Sequence, residues 1–371
     1  MYIKSLSLSN YRNYQSLTLD LCQGTNIFYG NNGQGKTNIL EALFLCAIGK
    51  SFRYAKSGDL VLNGTDRFKV SAKIGEDITE QIDISYTRKE EKIIRVNGLC
   101  LRKLGHLMGN LMAVIFSPED LQLVNEGPAV RRRMMDIAIS QIKASHYFNL
   151  TQYNKTLSQK NALLRNCCNK GNKAVLDMLD VYNEQLADSG SKIIARRIQF
   201  IRLLSQFAKE KHQEIAPEEI LEVFYQTDAI PEGFSSENVA EIKEAFYQSL
   251  CHKKEKEIER MQSIVGIHRD DMELKLNGSD LKRFGSQGQK RTAVLSMKLA
   301  ELFILEKSTG RKPILLLDDV FSELDGKRQE SLLKSIVNFQ TFITCTEVSE
   351  LPTELLKNAR CFFVNSGSVV L

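Results

Sequence analysis

Apolar and polar positions alternate over much of the first 115 residues, which is the pattern of half-buried β-strands. Leu17, Leu19 and Leu21 show it cleanly, and similar runs occupy residues 68–74, 81–87 and 93–96. The last run ends at Asn97-Gly98, a strong hairpin signal. A helical pattern interrupts the strands at residues 38–48. This part of the chain is therefore predicted to be rich in strands, with one helix.

The pattern changes to helical spacing after about residue 118. One long run begins at Pro128 and continues past Leu164, and a second extends from Val175 to Ala208. A polar cluster at residues 169–172 separates them. These runs predict an antiparallel helical hairpin with arms of roughly 35–40 residues, about 55–60 Å long. A shorter charged helix is predicted near residues 237–261.

Strand character returns in the last third of the chain, with a strand at 272–276, a helix at 287–306 and a continuous apolar run at 313–318. Such an apolar run is typical of a buried parallel strand. The fold class is therefore α/β. We predict a discontinuous domain of residues 1–117 and 262–371, interrupted by a helical insertion at 118–261.

Composition adds few constraints to this picture. A chain of 371 residues with 43% hydrophobic content can bury a sizeable core, and its formal charge of +5 permits nucleic-acid binding without requiring it. The eight cysteines form no C-x-x-C pair, so reduced thiols are expected. No apolar stretch is long enough for a membrane span and the N-terminus lacks a signal-peptide core, so a cytoplasmic protein is expected.

The first chemical motif, residues 30–37, lies between a predicted strand and the helix at 38–48. It matches the P-loop pattern G-x-x-x-x-G-K-[ST] in full. Its glycines let main-chain N–H groups close around phosphates, at the positive end of the following helix. The lysine is placed to reach the β- and γ-phosphates, and the threonine hydroxyl to bind Mg²⁺. The sequence therefore predicts an ATP site at Gly30, Asn31, Asn32, Gly33, Gln34, Gly35, Lys36 and Thr37.

Two carboxylates follow the apolar run at 313–318. They are expected at the carboxyl edge of the sheet, where α/β proteins bind ligands. Asp318 is predicted to hold Mg²⁺ through water, and Asp319 to polarise the attacking water. A plain acidic loop after a buried strand is the alternative, which the P-loop makes less favoured.

A third element, Gly285-Ser-Gln-Gly-Gln289, directly precedes a predicted helix. Ser286, Gly288 and Gln289 are predicted to bind anionic oxygens at the helix N-terminus. Taken alone, the same residues also fit an ordinary helix cap.

The order of these three elements resembles that of ABC-type ATPases, with Walker A at 30–37, signature at 286–289 and Walker B at 314–319. Ser322-Glu-Leu-Asp325 resembles a D-loop, and residues 343–346 occupy the switch position. The resemblance implies that ATP is held between two protomers.

Spacing narrows the resemblance, because about 250 residues separate Thr37 from Ser286. Transporter subunits place the signature much nearer, and the insertion is too short for the coiled coils of SMC proteins. The chain is most similar to the RecF family of SMC-head-like ATPases, through its residues 8–14, 49–53, 116–121, 131–133 and 266–271. Arg12, in the first of these segments, is a further candidate nucleotide contact.

This resemblance implies binding to duplex DNA and single-strand/duplex junctions, an ATP-induced homodimer, and slow, DNA-stimulated hydrolysis. It also implies partnership with RecR, and with RecO and RecA in the pathway, in recombinational repair, replication and the SOS response. The competing hypothesis is an ABC-type ATPase subunit that does not act on DNA, in transport or regulation.

Two positions depart from the ABC pattern. Asp319 stands where many of these enzymes carry glutamate, so Glu323 is kept as an alternative catalytic residue. The switch position holds Thr344 or Thr346 instead of histidine. The Q-loop residue is either Gln122 or Ser117.

Candidate DNA contacts are the cations Arg131, Arg132, Arg133, Lys50 and Arg53. Three arginines near a helix N-terminus oppose the macrodipole, so they need anionic partners. These partners are either DNA phosphates or internal carboxylates. The charged segment 253–257 is interpreted as a solvated helix face.

Overall fold

The computed structural model describes residues 2–75, 78–89, 92–166 and 173–370. The chain divides into two compact units. The first contains Met1–Leu121, Glu210–Glu219 and Gln287–Leu371, and the second contains Gln122–Lys209 and Ile220–Ser286. The predicted return to the ATPase domain at residue 262 therefore falls too early. The reason is that a strand at 271–276 pairs with a strand at 221–226, which the sequence pattern did not reveal.

Elements are numbered in chain order. The strands are β1 (Ile3–Tyr11), β2 (Tyr14–Asp20), β3 (Thr25–Tyr29), β4 (Arg67–Ile74), β5 (Glu80–Thr87), β6 (Ile93–Val96), β7 (Leu99–Cys100), β8 (Ala113–Phe116), β9 (Leu221–Gln226), β10 (Asp271–Leu276), β11 (Ser279–Asp280), β12 (Ile314–Asp318), β13 (Thr341–Cys345), β14 (Arg360–Asn365) and β15 (Ser368–Val370). The helices are α1 (Lys36–Ile48), α2 (Gln122–Asn125), α3 (Pro128–Ile142), α4 (Ala144–Arg165), α5 (Lys173–Ile215), α6 (Val239–His252), α7 (Lys254–Arg260), α8 (Leu281–Phe284), α9 (Gln287–Thr309), α10 (Gly326–Ile336) and α11 (Thr353–Leu356).

The first unit contains an antiparallel sheet with strand order β2-β1-β4-β5-β6-β7. The predicted alternation appears in β4, where every second side chain is buried. Leu6 and Leu8 of β1 and Val70 of β4 lie on the buried face, which packs against α1. The other face of this sheet is polar.

A second sheet in the first unit has the order β15-β14-β3-β13-β12-β8 and is parallel except for β15. Strands β12 and β13 are buried along their whole length, as expected for a parallel sheet between covering layers. Their register places Asp318 beside Thr344 and Leu317 beside Phe116. The carboxyl ends of β3, β8, β12 and β13 therefore meet at one edge of the sheet.

The second unit contains long helices, but the predicted first arm is not one helix. It breaks at Lys143, whose extended backbone ends α3 and begins α4. The second arm, α5, is a continuous helix of 43 residues, and its last part, residues 210–215, belongs to the first unit. The predicted polar break at 169–172 lies outside the described residues. Within the described part of the chain, no helix is long and apolar enough to span a membrane.

A buried arginine lies at the centre of the second unit. Arg197 donates to Asp136 Oδ2 at 2.8 Å and to Asp270 Oδ2 at 2.6 Å, and Tyr225 also donates to Asp270. Despite burial, the Arg197 and His146 contacts hold the pKa of Asp136 below its usual value. These ion pairs link α3, α5 and the segment before β10. Burying an unpaired charge is costly, so each of these three elements depends on the others for its charged partner.

Candidate functional site

Residues 30–35 form the loop between β3 and α1, and Lys36 and Thr37 are the first residues of that helix. Gly30 has a φ of 140° and Gly35 a φ of 116°, both in the region that favours glycine. A Cβ at Gly30 would lie 2.4 Å from the main-chain oxygen of Val364, and one at Gly35 would lie 2.5 Å from Asn13 Nδ2. The loop is therefore packed too closely for any other residue at these two positions.

Lys36 begins α1 and is only 4% exposed. Its Nζ donates to the main-chain oxygens of Gly30 at 2.5 Å and Asn31 at 3.1 Å, so the ammonium group lies inside the loop. This cation, the loop N–H groups and the α1 N-terminus together favour an anion. The residues present fit a nucleoside triphosphate. Asn31, Asn32 and Gly33 are the exposed residues of the loop.

Asp318 ends β12 and accepts two hydroxyl hydrogen bonds on Oδ1, from Thr37 and from Thr344, each at 2.8 Å. Burial raises the pKa of Asp318, although both hydroxyls oppose the shift, and the charge of Asp319 adds to it. A nearby divalent cation would offset the free-energy cost of burying the charged form of this carboxylate. Because Mg²⁺ prefers oxygen ligands, Thr37 and Asp318 fit the predicted metal site.

Asp319 has a φ of 52°, and its N–H donates to Thr344 Oγ1 at 2.9 Å. The Thr344 hydroxyl therefore links both carboxylate residues. Thr346 instead uses its main-chain oxygen, which accepts from the Gly30 N–H at 3.1 Å. Of the two switch candidates, Thr344 is the one whose side chain touches Asp318.

The Q-loop candidates have different positions. Ser117 directly follows β8, and since Phe116 is level with Leu317, Ser117 lies at the same sheet edge as Asp318. The Ser117 N–H donates to Asp120 Oδ2 at 2.7 Å. Gln122 begins α2 and belongs to the second unit.

Ser286 directly precedes α9, as predicted. The Gly288 carbonyl accepts from the Arg328 guanidinium at 2.9 Å, and Gln289 Nε2 donates to Glu219 Oε1 at 2.9 Å. The Gln289 side chain, predicted as a nucleotide contact, is thus engaged by Glu219 in this structure. Glu323 lies in the 3-10 turn Phe321–Glu323 and is partly exposed.

Arg12 forms a two-pronged ion pair with Glu41, with both distances 2.7 Å. The Arg53 guanidinium donates to Asn38 Oδ1 at 3.5 Å, and its positive charge opposes the rise in the pKa of Asp318 that burial causes. Arg53, predicted as a DNA contact, therefore lies close to the Walker B carboxylate. Lys50 follows the α1 cap residue Gly49 and is exposed.

Arg131 and Arg132, the first two of the three consecutive arginines, bind internal oxygens. Arg131 is 7% exposed and pairs with both Asp271 oxygens at 2.7 and 2.8 Å. Arg132 donates to the main-chain oxygen of Asp270 at 2.7 Å. Of the two alternatives for these residues, the structure favours the internal one, and it corrects the placement of Arg131 at a DNA phosphate. The DNA contacts expected of Arg133 and Lys50 stay predictions.

A group of cations was missed at the sequence level. Arg67, Lys69 and Lys73 are exposed on β4, and pairing places them on the open face of the antiparallel sheet with Arg95 of β6. Asp83 of β5 lies on the same face and pairs with Lys69 at 3.1 Å, which leaves Arg67, Lys73 and Arg95 as the cations that the proposal uses. Hydroxyl side chains from β1 and β2 share this face, namely Ser5, Ser7, Ser9, Ser16 and Thr18. The signal was visible as cations at three of the four alternate positions 67, 69, 71 and 73, in a stretch interpreted only as a strand.

Comparison with known proteins shows the family of this chain. Residues 2–367 match the family model "RecF/RecN/SMC N terminal domain". A curated relative from Acetivibrio thermocellus, named DNA replication and repair protein RecF, is 45% identical over 94% of each chain. A protein of the same name from Clostridium perfringens is 40% identical over 100% of this chain and 99% of its own.

Solved structures give the same result. The recombination mediator protein RecF in its RecF-ATPrS and RecF-ATP forms aligns with TM-scores of 0.91 and 0.90, at 38% identity. These alignments cover 99% and 100% of this chain and 97% of each solved chain. An Smc head aligns at a TM-score of 0.56 with 14% identity, over 100% of this chain and 97% of the head, which shows a shared fold alone. The fold is thus that of an ABC-type ATPase of the SMC-head class. Within that class, the chain belongs to the RecF family.

Proposed function

We propose that this protein binds ATP with Mg²⁺ and uses the nucleotide as a switch in DNA replication and repair. The observation that carries the proposal is the pairing of Thr37 and Asp318 beside the buried ammonium group of Lys36. Thr37 and Asp318 would hold the ion, which when bound supplies positive charge to the phosphates. The ATP and ATPrS forms of the RecF structures support the choice of nucleotide.

The active form we propose is an ATP-induced homodimer. Lys36 and its loop already provide one anion site in each protomer, so a second anion site at Ser286 and Gly288 is best used by the nucleotide of a partner chain. Hydrolysis is slow and resets the switch, with Asp319 as the proposed base.

The proposed ligand is the backbone of duplex DNA, including single-strand/duplex junctions. The cations and hydroxyls on the open sheet face support this, since both kinds of group commonly contact phosphates. The names of the RecF relatives favour DNA over a transport or regulatory role. RecR, with RecO and RecA in the pathway, are the proposed partners, in keeping with the RecFOR pathway of the solved relatives.

Lys36→Arg tests ATP use. We expect hydrolysis to fall by about an order of magnitude or more, because a planar guanidinium keeps the charge but does not fit the space of a compact ammonium group. The measurements are phosphate release and the thermal unfolding midpoint, which should stay near that of the parent. Lys334→Arg, on the exposed surface of α10, is the matched control. Parent-like turnover in Lys36→Arg would reject the assignment of Lys36.

DNA binding should depend strongly on salt. Contact with six to ten phosphates predicts a loss of roughly 10³–10⁵ in affinity between 50 and 200 mM salt. The double variant Arg67→Ala/Lys73→Ala should weaken binding and reduce the slope of log affinity against log salt by about 1.8. The matched control is Lys256→Ala/Arg260→Ala, two exposed cations of α7. A salt-independent affinity would contradict backbone binding, and an unchanged slope in the first variant would exclude this face.

A further inference from the structure

The main-chain carbonyl groups of Gln34 and Gly35 accept hydrogen bonds from residues outside the loop. Asn13 Nδ2 donates to the main-chain oxygen of Gln34 at 2.8 Å, and the Gly367 N–H donates to the same atom at 3.3 Å. The Tyr14 hydroxyl donates to the main-chain oxygen of Gly35 at 3.0 Å, in addition to the Asn38 and Ile39 N–H groups of α1 at 3.0 and 3.3 Å. Asn13 lies in the β1–β2 turn, Tyr14 begins β2 and Gly367 lies in the β14–β15 turn, all distant from residue 34 in the sequence.

Peptide geometry gives these bonds a consequence for the other side of the loop. In a planar trans peptide, the C=O and N–H groups point in opposite directions. Fixing the carbonyls of Gln34 and Gly35 therefore fixes the N–H groups of Gly35 and Lys36, which point away from Asn13 and Tyr14. N–H groups in the first turn of a helix have no partner within that helix, so they are available to an anion.

The turn between β14 and β15 also binds the side chain of Gln34. The N–H and the hydroxyl of Ser366 donate to Gln34 Oε1 at 2.6 and 3.0 Å. Gly367 has a φ of 78°, and a Cβ there would lie 2.4 Å from the main-chain oxygen of Asn13. The turn therefore packs directly on both Gln34 and Asn13, and only glycine permits this approach.

We infer that Asn13, Tyr14 and the turn at Ser366 and Gly367 are positioning residues, which orient the N–H groups of Gly35 and Lys36 toward the nucleotide phosphates. This inference rests on the proposed ATP binding. It gives the N-terminal segment 8–14 a role besides that of Arg12. Tyr14 suits this role, since burial raises the pKa of its phenol and the hydroxyl keeps the proton that it donates.

The test compares Tyr14→Phe and Asn13→Ala with the parent, by calorimetric titration with ATP and with ADP. Each variant loses one hydrogen bond that orients an N–H group, so we expect the Kd for ATP to rise about 5-fold or more. The Kd for ADP should rise by the same factor, because P-loop N–H groups contact phosphates that both nucleotides share. Tyr153→Phe is the matched control, a fully buried tyrosine of α4 in the second unit, whose hydroxyl contacts His268 Nδ1 at 3.3 Å.

Both variants are also compared with the parent by thermal unfolding. If Tyr14→Phe does not fold, Asn13→Ala alone decides, because Asn13 lies in a turn. Parent-like Kd values in the folded variants would overturn the inference, as would a loss confined to ATP or an equal loss in Tyr153→Phe. A parent that bound neither nucleotide would reject the proposed function itself, which is a distinct result.

Discussion

Asp319→Asn is expected to slow hydrolysis by two or more orders of magnitude, on the scale typical for losing a general base, while ATP still binds. The fold should survive, because asparagine tolerates the left-handed backbone that Asp319 adopts at a φ of 52°. The main-chain N–H that donates to Thr344 also remains in the variant. The change therefore removes the carboxylate charge with little effect on the structure around it.

Phosphate release at saturating ATP measures the rate, and equilibrium titration measures nucleotide affinity. Asp20→Asn, at the exposed end of β2, controls for the loss of one negative charge. Full activity in Asp319→Asn would move the catalytic role elsewhere. Glu323→Gln would then be the next variant to measure, since Glu323 lies in the turn that follows Asp319.

The sequence predicted those parts of the site whose residues all lie within one short segment of the chain. The P-loop is one such segment, because its glycines, Lys36 and Thr37 are fixed by the turn from β3 into α1. Asp318 is another, since an apolar run that ends in carboxylates places them at a sheet edge. The signature serine was also found at the start of a helix, where the pattern predicted one.

What the sequence did not reveal depends on contacts between distant residues. Thr344 could not be preferred over Thr346 until the pairing of β12 with β13 placed it beside Asp318. Arg131 could not be assigned to Asp271, because 140 residues separate the two in the chain. The boundary predicted at residue 262 was misplaced for the same reason. Strand β10 belongs to the second unit because it pairs with β9, and the two strands are distant in the sequence.

Ser286→Arg is expected to abolish ATP-dependent dimerisation and, with it, hydrolysis. Ser286 lies directly before α9, and the N–H groups in the first turn of a helix have no partner within that helix and favour an anion. If these groups bind the nucleotide of a partner protomer, a long arginine side chain fills the space that the partner's triphosphate needs. Because ATP stabilises the dimer by mass action, loss of this contact shifts the equilibrium to monomers.

ATP binding by each protomer should stay near normal, because the P-loop and Asp318 are unchanged. Sedimentation with and without ATP and a short duplex measures assembly, and nucleotide titration of the same samples measures binding. Ser279→Arg, an equal change at an exposed position of β11, controls for the added cation. If Ser286→Arg dimerised with the parent's dependence on ATP concentration, the shared site would be wrong. Each protomer would then hydrolyse ATP with its own residues, and the signature would be only a helix cap.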